Sequence, residues 1–241
     1  MNYTRIFCEQ DLKLNKELTL TKESSNHLMQ VLRKKDGSLV ELFNGKGLSC
    51  KAEIISLKKK LVKVRPIESL FNEERRGIEI CLGMSLIKSE PLTISIQKAT
   101  ELGVSVISPV LTERTIVNIK SEKLISRKER WKSVAIHACQ QCGENWLPLI
   151  EELRPLEDWA KKINSKHKII LSPKAEIKLS DLNLTESVSI AVGPEGDFTE
   201  KEILNLKKMD FVPVKIGDRI LRSDTAVISS ISAIRSMCKE F

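Results

Sequence analysis

Four residues near the carboxyl end have side chains and neighbours suited to chemistry on a bound ligand: Glu195, Arg219, Arg222 and Asp224. Glu195 sits inside Gly193-Pro194-Glu195-Gly196, where two glycines flank a Pro-Glu pair and turn the backbone with little side-chain bulk. Glycine loops ahead of helices commonly cradle anions. This one is neither a Walker A sequence nor GxGxxG, and its carboxylate would repel a phosphate. Taken alone it is also compatible with an ordinary tight turn. The arginines belong to a second glycine-opened stretch, Ile216-Gly217-Asp218-Arg219-Ile220-Leu221-Arg222-Ser223-Asp224-Thr225-Ala226. An arginine ahead of a helix N-terminus gains nothing from the helix dipole, so Arg222 reads as functional. Arg219 has two readings, a functional one and a surface ion pair. Asp224 reads first as a helix N-cap and second as a chemical group.

The elements that must position these loops alternate between strand and helix. Residues 187–192 (SVSIAV) form a short apolar, β-branched run expected to be a buried strand. Thr199 and Glu202 have the spacing of a capping box and open an amphipathic helix through Met209. A second strand is expected over 211–216, then a last helix capped by Ser223 or Asp224 and running through Ile228, Ile231 and Ile234. Upstream the same alternation predicts a strand at 78–83, a helix at 92–102 closed by Gly103, and a strand at 104–110. A long helix at 122–142 and a strand at 168–171 follow; the apolar end of the latter, at Leu171, is placed to floor the same cleft. Two glycine-opened loops at the ends of neighbouring strands are how an α/β protein builds a ligand cleft.

The first 71 residues read differently. Strands are expected at 38–43, 48–55 and 61–65, with Asn44-Gly45 as a hairpin-turn signal and a short helix at 22–31. Several short strands with hairpin turns are compatible with a small barrel. Residues 1–70 carry 14 Lys+Arg against 8 Asp+Glu, most of the chain's net charge of +8. Such a surface suits a polyanion such as RNA, or simply keeps a small domain soluble. Arg5, Arg33, Lys34 and Lys35 are the candidate phosphate contacts. Stacking aromatics are scarce there, which favours backbone contact over base reading. The charged stretch 72–77 is the expected linker between domains at 1–71 and 72–241.

With 41% hydrophobic and 30% charged residues among 241, the chain has the composition of a soluble globular protein. No run approaches the ~18 apolar residues of a membrane span, and the N-terminus lacks the apolar core of a signal peptide. A cytoplasmic location with no membrane partner is expected. Cys139 and Cys142 form a CxxC pair, open to a metal or redox reading. No second pair exists, the three histidines lack ligand spacing, and a helix is expected there. Buried packing is the expectation, with no metal.

GPEG ahead of a capped helix, and IGDRILRSDTA opening the last one, resemble the knotted SPOUT class of S-adenosylmethionine-dependent RNA methyltransferases. Within that class the chain is similar to the bacterial family that methylates N3 of a uridine in small-subunit ribosomal RNA. The likeness spans the whole chain, through His27-Leu28, Val31-Leu32-Arg33, KATELGV at 98–104 and ACQQCG at 138–143. It implies an α/β fold: a PUA-like β-barrel over 1–71, then a methyltransferase domain threading a trefoil knot over 72–241. It also implies a homodimer, S-adenosyl-L-methionine as cofactor, and small-subunit ribosomal RNA or the small ribosomal subunit as partner. Cofactor contacts are then expected from Leu171, from Gly193, Pro194, Glu195 and Gly196, and from Ile216, Gly217, Ile220, Leu221, Arg222 and Thr225. The chain departs from the family's usual pattern at Asp197, often a further glycine, at Asp218, at Ser223-Asp224, and at Glu144-Asn145, where an arginine is usual.

Methylation at N3 requires loss of the imide proton before the nitrogen lone pair attacks a sulfonium methyl. This one-step displacement needs no covalent enzyme intermediate; alignment and stabilisation of the deprotonated imide carry it. Arg222 and Glu195 are the expected catalytic residues, the arginine contacting either the RNA phosphate or the target uracil, whose developing anion it would stabilise. Asp224 and water are open alternatives to Glu195 as proton acceptor. Three other readings are distinguishable. A related enzyme with another target, such as transfer RNA or a ribose hydroxyl, would differ in the nucleoside modified. An assembly factor without catalysis would fail to bind the cofactor. A nucleotide hydrolase would bind ATP instead.

Overall fold

The structure is a computed structural model, and it describes residues 3–57, 61–116 and 124–240. The chain divides into two compact units that are not contiguous in sequence. One comprises residues 1–75 with 139–147, the other 76–138 with 148–241.

The first unit is built on a five-stranded sheet. Its strands are β1 (Thr4–Phe7), β2 (Leu18–Thr19), β3 (Leu39–Phe43), β4 (Leu48–Ser56) and β5 (Lys63–Asn72), in the order β1-β3-β4-β5-β2. The β3–β4 hairpin turns where Asn44-Gly45 signals it, because the Asn44 side-chain oxygen accepts from the amides of Lys46 (2.8 Å) and Leu48 (3.1 Å). Helix α1 (Lys22–Asn26) starts at Thr21, whose hydroxyl accepts from Ser24 N, and continues as a π-helical turn to Val31. The expected single helix therefore widens midway. Ile6, Leu28, Leu42, Ile54 and Val64 fill one core. Residues 145–147 dock on the hairpin tip: Gly47 N donates to Asn145 O and Leu147 N to Gly45 O, both at 3.0 Å.

The second unit holds a sheet of β6 (Glu79–Ser85), β7 (Val106–Leu111), β8 (Leu149–Ile150), β9 (Arg154–Pro155), β10 (His167–Leu171), β11 (Ser187–Val192) and β12 (Val212–Val214). Their order is β12-β10-β11-β6-β7-β8, with β9 also on β7, and every pairing is parallel. Parallel neighbours cannot be joined by hairpins, so helices cross between them and cover the sheet faces. These are α2 (Ser89–Glu101), α3 (Leu124–Cys142), α4 (Leu156–Ala160), α5 (Glu200–Lys207) and α6 (Ser223–Met237). The expected residues 122 and 123 of α3 lie outside the described residues. β11 is buried without alternation from Val188 to Val192, as a strand covered on both faces must be, with Ser189 as its one buried polar residue.

Two local devices set the packing. Trp159 of α4 is fully buried beside Phe211 (ring centroids 5.6 Å apart) and lies across β6 at Gly83. A Cβ at Gly83 would stand 2.5 Å from the indole, so only glycine admits the ring. Arg235 of α6, 5% exposed, donates to Leu102 O (3.1 Å), Ile78 O (3.1 Å) and Gly103 O (2.6 Å) and pairs with Glu240. Glu240 in turn accepts from Ile78 N at 2.6 Å. Gly103, at φ +74°, closes α2 as expected and brings its carbonyl to that guanidinium.

Breaking this buried pair leaves a charge without its partner, so Arg235→Ala should lose about 3–5 kcal/mol in denaturant unfolding. Arg235→Lys should recover little, because one ammonium cannot replace the planar fork; wild-type stability in either variant would contradict the assignment. Gly83→Ala should lose about 1–3 kcal/mol by overpacking. That loss should shrink when measured in a Trp159→Phe background, where the smaller ring makes room.

Candidate functional site

A cleft of about 280 Å³ opens at the carboxyl ends of β10, β11 and β12. It is lined by residues 171–173, 192–195, 197, 214–217, 219–223 and 226. In an open parallel sheet the loops leaving these strand ends converge on one edge, which is where such folds bind ligands. The sequence places the glycine turn and the arginine-bearing loop 24 positions apart (Gly193 to Gly217); the topology makes them opposite walls.

The first wall follows β11. Asp197 N donates to Pro194 O at 3.0 Å, closing a turn over 194–197. The glycines serve close approach rather than unusual dihedrals. Neither has a positive φ; the left-handed residue is Asp197, at +61°. A Cβ at Gly193 would meet the Phe198 ring at 3.3 Å, and one at Gly196 would meet Arg114 Cδ at 3.3 Å. Behind the turn, α5 starts with the predicted capping box. Thr199 Oγ1 accepts from Glu202 N (3.2 Å), while Glu202 Oε2 accepts from Thr199 N (2.8 Å). Burial raises the proton affinity of Asp197 against the opposing hydrogen bond from Phe198 N.

The second wall is the loop between β12 and α6. The strand is shorter than expected, because Lys215 instead makes an isolated bridge with Lys178 and Ile216 already belongs to the loop. The cap of α6 also differs from expectation. Arg222 occupies the N-cap position with extended backbone (φ −65°, ψ 154°) and no side-chain cap bond. Ser223 and Asp224 are the first two helical residues, and Asp224 Oδ1 accepts from the adjacent Thr225 N at 2.8 Å. The reason is one of register: Ala226 N already donates to Arg222 O at 2.8 Å, so the helix begins one or two residues earlier than a capping acid would start it.

Of the expected cofactor residues, the cleft brings together Leu171, Gly193, Pro194, Glu195, Ile216, Gly217, Ile220, Leu221 and Arg222. Gly196 and Thr225 are not among its lining residues. Asp197 and Arg219 are, and Asp197 was legible only as the neighbour of the glycine turn. Glu195, Arg219, Ile220 and Arg222 are exposed, Ile220 at 85%.

In the first unit, Arg33, Lys34 and Lys35 form the short loop between the π-helical turn and β3, with Arg33 and Lys35 exposed. Arg33 has a left-handed backbone at φ +48°. Arg5 does not join them. Its guanidinium pairs with Glu41, donates to Glu144 O (3.0 Å) and Asn145 Oδ1 (2.7 Å), and lies 4.8 Å from the Phe43 ring centroid. These contacts commit Arg5 to the framework of its own unit. Cys139 is buried, which pushes its thiol well above the usual range, whereas Cys142 is exposed.

Comparison with known proteins agrees with this layout. A family model described as RNA methyltransferase domain matches residues 73–235, and one described as RNA methyltransferase PUA domain matches 20–67. The ribosomal RNA small subunit methyltransferase E of Buchnera aphidicola is 31% identical over 98% of this chain and 94% of that protein. Its Bacillus subtilis namesake is 28% identical over 94% and 92%. Among solved structures, the Neisseria gonorrhoeae ribosomal RNA small subunit methyltransferase E bound to S-adenosyl methionine superposes with TM-score 0.89 at 28% identity, covering 98% of both chains. A Legionella pneumophila structure in complex with the same cofactor gives 0.92 at 32%, again over 98% of each. With a methyltransferase domain and a PUA domain each matched in place, and whole-length relatives sharing one name, the chain belongs to the ribosomal RNA small subunit methyltransferase E family.

Proposed function

We propose that the chain transfers a methyl group from S-adenosyl-L-methionine to N3 of a uridine in small-subunit ribosomal RNA. The observation that carries this reading is the single cleft made by the glycine turn and the arginine-bearing loop, in a chain of this family. The cleft's volume falls near the lower end of the ~300–1,000 Å³ typical of small-molecule sites. Its chemistry suits the cofactor: Leu171, Val192, Ile216 and Leu221 offer apolar surface to a flat adenine. Carboxylates at Glu195 and Asp197 suit an ammonium or ribose hydroxyls. Bound there, the cofactor supplies a methyl group activated by a positively charged sulfur.

The chain's own residues must then hold the uracil in line and favour its deprotonated imide. Arg222 is exposed at the helix start, where the dipole disfavours a cation, so its placement is better explained by a negative partner. In this reading its guanidinium stabilises charge developing on the uracil oxygens. Glu195, on the facing wall, takes the imide proton. Arg33, Lys34 and Lys35 contact RNA phosphates, positioning substrate without reading sequence.

Three finer points belong to the same proposal. The domains divide at about residues 71 and 72 as the family likeness implies, with residues 139–147 returning to the first. The second domain threads a trefoil knot, as the same likeness implies. The chain works as a cytoplasmic homodimer. Ile220, an exposed apolar side chain at the cleft, is a surface a second copy would cover. Among the described residues no helix is long and apolar enough to cross a membrane.

Small subunits from a strain lacking the modification, incubated with labelled S-adenosylmethionine, should yield 3-methyluridine on nucleoside analysis; a methylated ribose or another base would replace the target assignment. Arg222→Ala should lower kcat about 10²–10³-fold, the range for losing one stabilising donor, and full activity in that variant would remove the arginine's role. Light scattering of the purified chain should return twice the monomer mass of 27.3 kDa.

A further inference from the structure

We infer that Arg114 is a positioning residue for the methyl-donor site, acting through the backbone of the glycine turn without touching the ligand. The inference rests on the reading that S-adenosylmethionine occupies the cleft.

Residues 193–196 have little internal support. One turn hydrogen bond, Asp197 N to Pro194 O, closes them, and the Phe198 ring backs Gly193. Glu195 and Gly196 are exposed. Arg114, 82 positions earlier in the chain, supplies an outside support. Its Nη1 donates to Gly196 O at 2.6 Å, a charge-assisted bond. Its Cδ lies 3.3 Å from where a Gly196 Cβ would stand, so the stem packs on the glycine it holds. Its charge also faces the half-buried carboxylate of Asp197.

Arg114 is itself mounted on a fixed base. Thr112 and Thr115 close a turn through Thr115 N to Thr112 O (3.1 Å) and Thr112 N to Thr115 Oγ1 (3.0 Å). Next to the arginine, Glu113 N donates to Glu202 Oε1 at 2.8 Å. Glu202 is 5% exposed, and its other oxygen caps the helix that follows the glycine turn. One buried carboxylate therefore clamps the arginine's turn to the start of α5, and the arginine reaches forward from that clamp to Gly196. A turn already held in its binding geometry loses less conformational freedom when ligand arrives. The consequence is affinity for the methyl donor and, because Glu195 rides on the same turn, placement of the proton acceptor.

The test is calorimetric titration of the full chain with S-adenosylmethionine, alongside kinetics and melting. Arg114→Ala should weaken binding about tenfold, in line with one charge-assisted hydrogen bond. KM for the methyl donor should rise with it and kcat should fall by a smaller factor, since Glu195 rides on the same turn, while the melting temperature stays at its wild-type value. Arg114→Lys should fall between, since an ammonium restores charge but not the fork. Unchanged affinity in Arg114→Ala would overturn the inference while leaving the cofactor reading intact. A drop in melting temperature matching the loss of affinity would overturn it too, by making the arginine a general stabiliser. Absence of binding to the unaltered chain would overturn the cofactor reading, and this inference with it.

Discussion

The site depends on parallel pairing. Because β12, β10, β11, β6 and β7 run side by side in one direction, each loop that follows a strand emerges on the same edge. No hairpin can relieve this, so the chain must cross a face and return each time. Leu171, Val192 and Val214 end three of these strands and all line the cleft. The cleft is thus a consequence of topology before any side chain shapes it. Shape then comes from close approach at the glycine turn, Phe198 against Gly193 and Arg114 against Gly196.

Buried charge fastens helix ends at both edges of the sheet, Glu202 on the cleft side and Arg235 with Glu240 on the opposite one. Glu202 joins the start of α5 to the turn after β7. Arg235 and Glu240 join the end of α6 to the start of β6 and the end of α2. Such ties are worth little against an apolar replacement but a great deal against losing one partner. Their value here is placement. The two helices whose N-terminal ends follow the cleft loops are each held by several directional bonds that plain packing would not supply.

The first unit shows how a charged residue can be diverted from solvent. Arg5 reads as a surface cation in a basic segment, yet Glu41, Glu144, Asn145 and the Phe43 ring surround its guanidinium. Asn145, 4% exposed, also donates to Glu73 at 2.9 Å, and Trp146 Nε1 donates to Glu73 O at 3.0 Å. The segment that brings these partners lies more than 130 positions from Arg5, and no local pattern announces it. Arg33, Lys34 and Lys35 keep their expected place in a loop, and among the described residues no distant side chain pairs with them.

What the sequence determined by itself was local. The apolar run of β11, the Thr199–Glu202 box, the Gly103 helix stop and the Asn44-Gly45 hairpin all depend on neighbours within a few residues, so their physics is written in short spacings. Most of the cleft was legible for the same reason, since each of its loops carries a glycine within three residues of a strand end. Only the tertiary structure could decide what depends on distant partners. The start of α6 moved to Arg222 because backbone register, and not the nearest capping side chain, set its first bond. Asp197 and Arg114 entered the site's surroundings through contacts across the fold. Arg5 left the candidate RNA contacts because Glu41, Phe43 and residues 144–145 together occupy its guanidinium. A hydrogen bond or an ion pair is specified by distance in space, and beyond a helix turn or a hairpin that distance is set by topology.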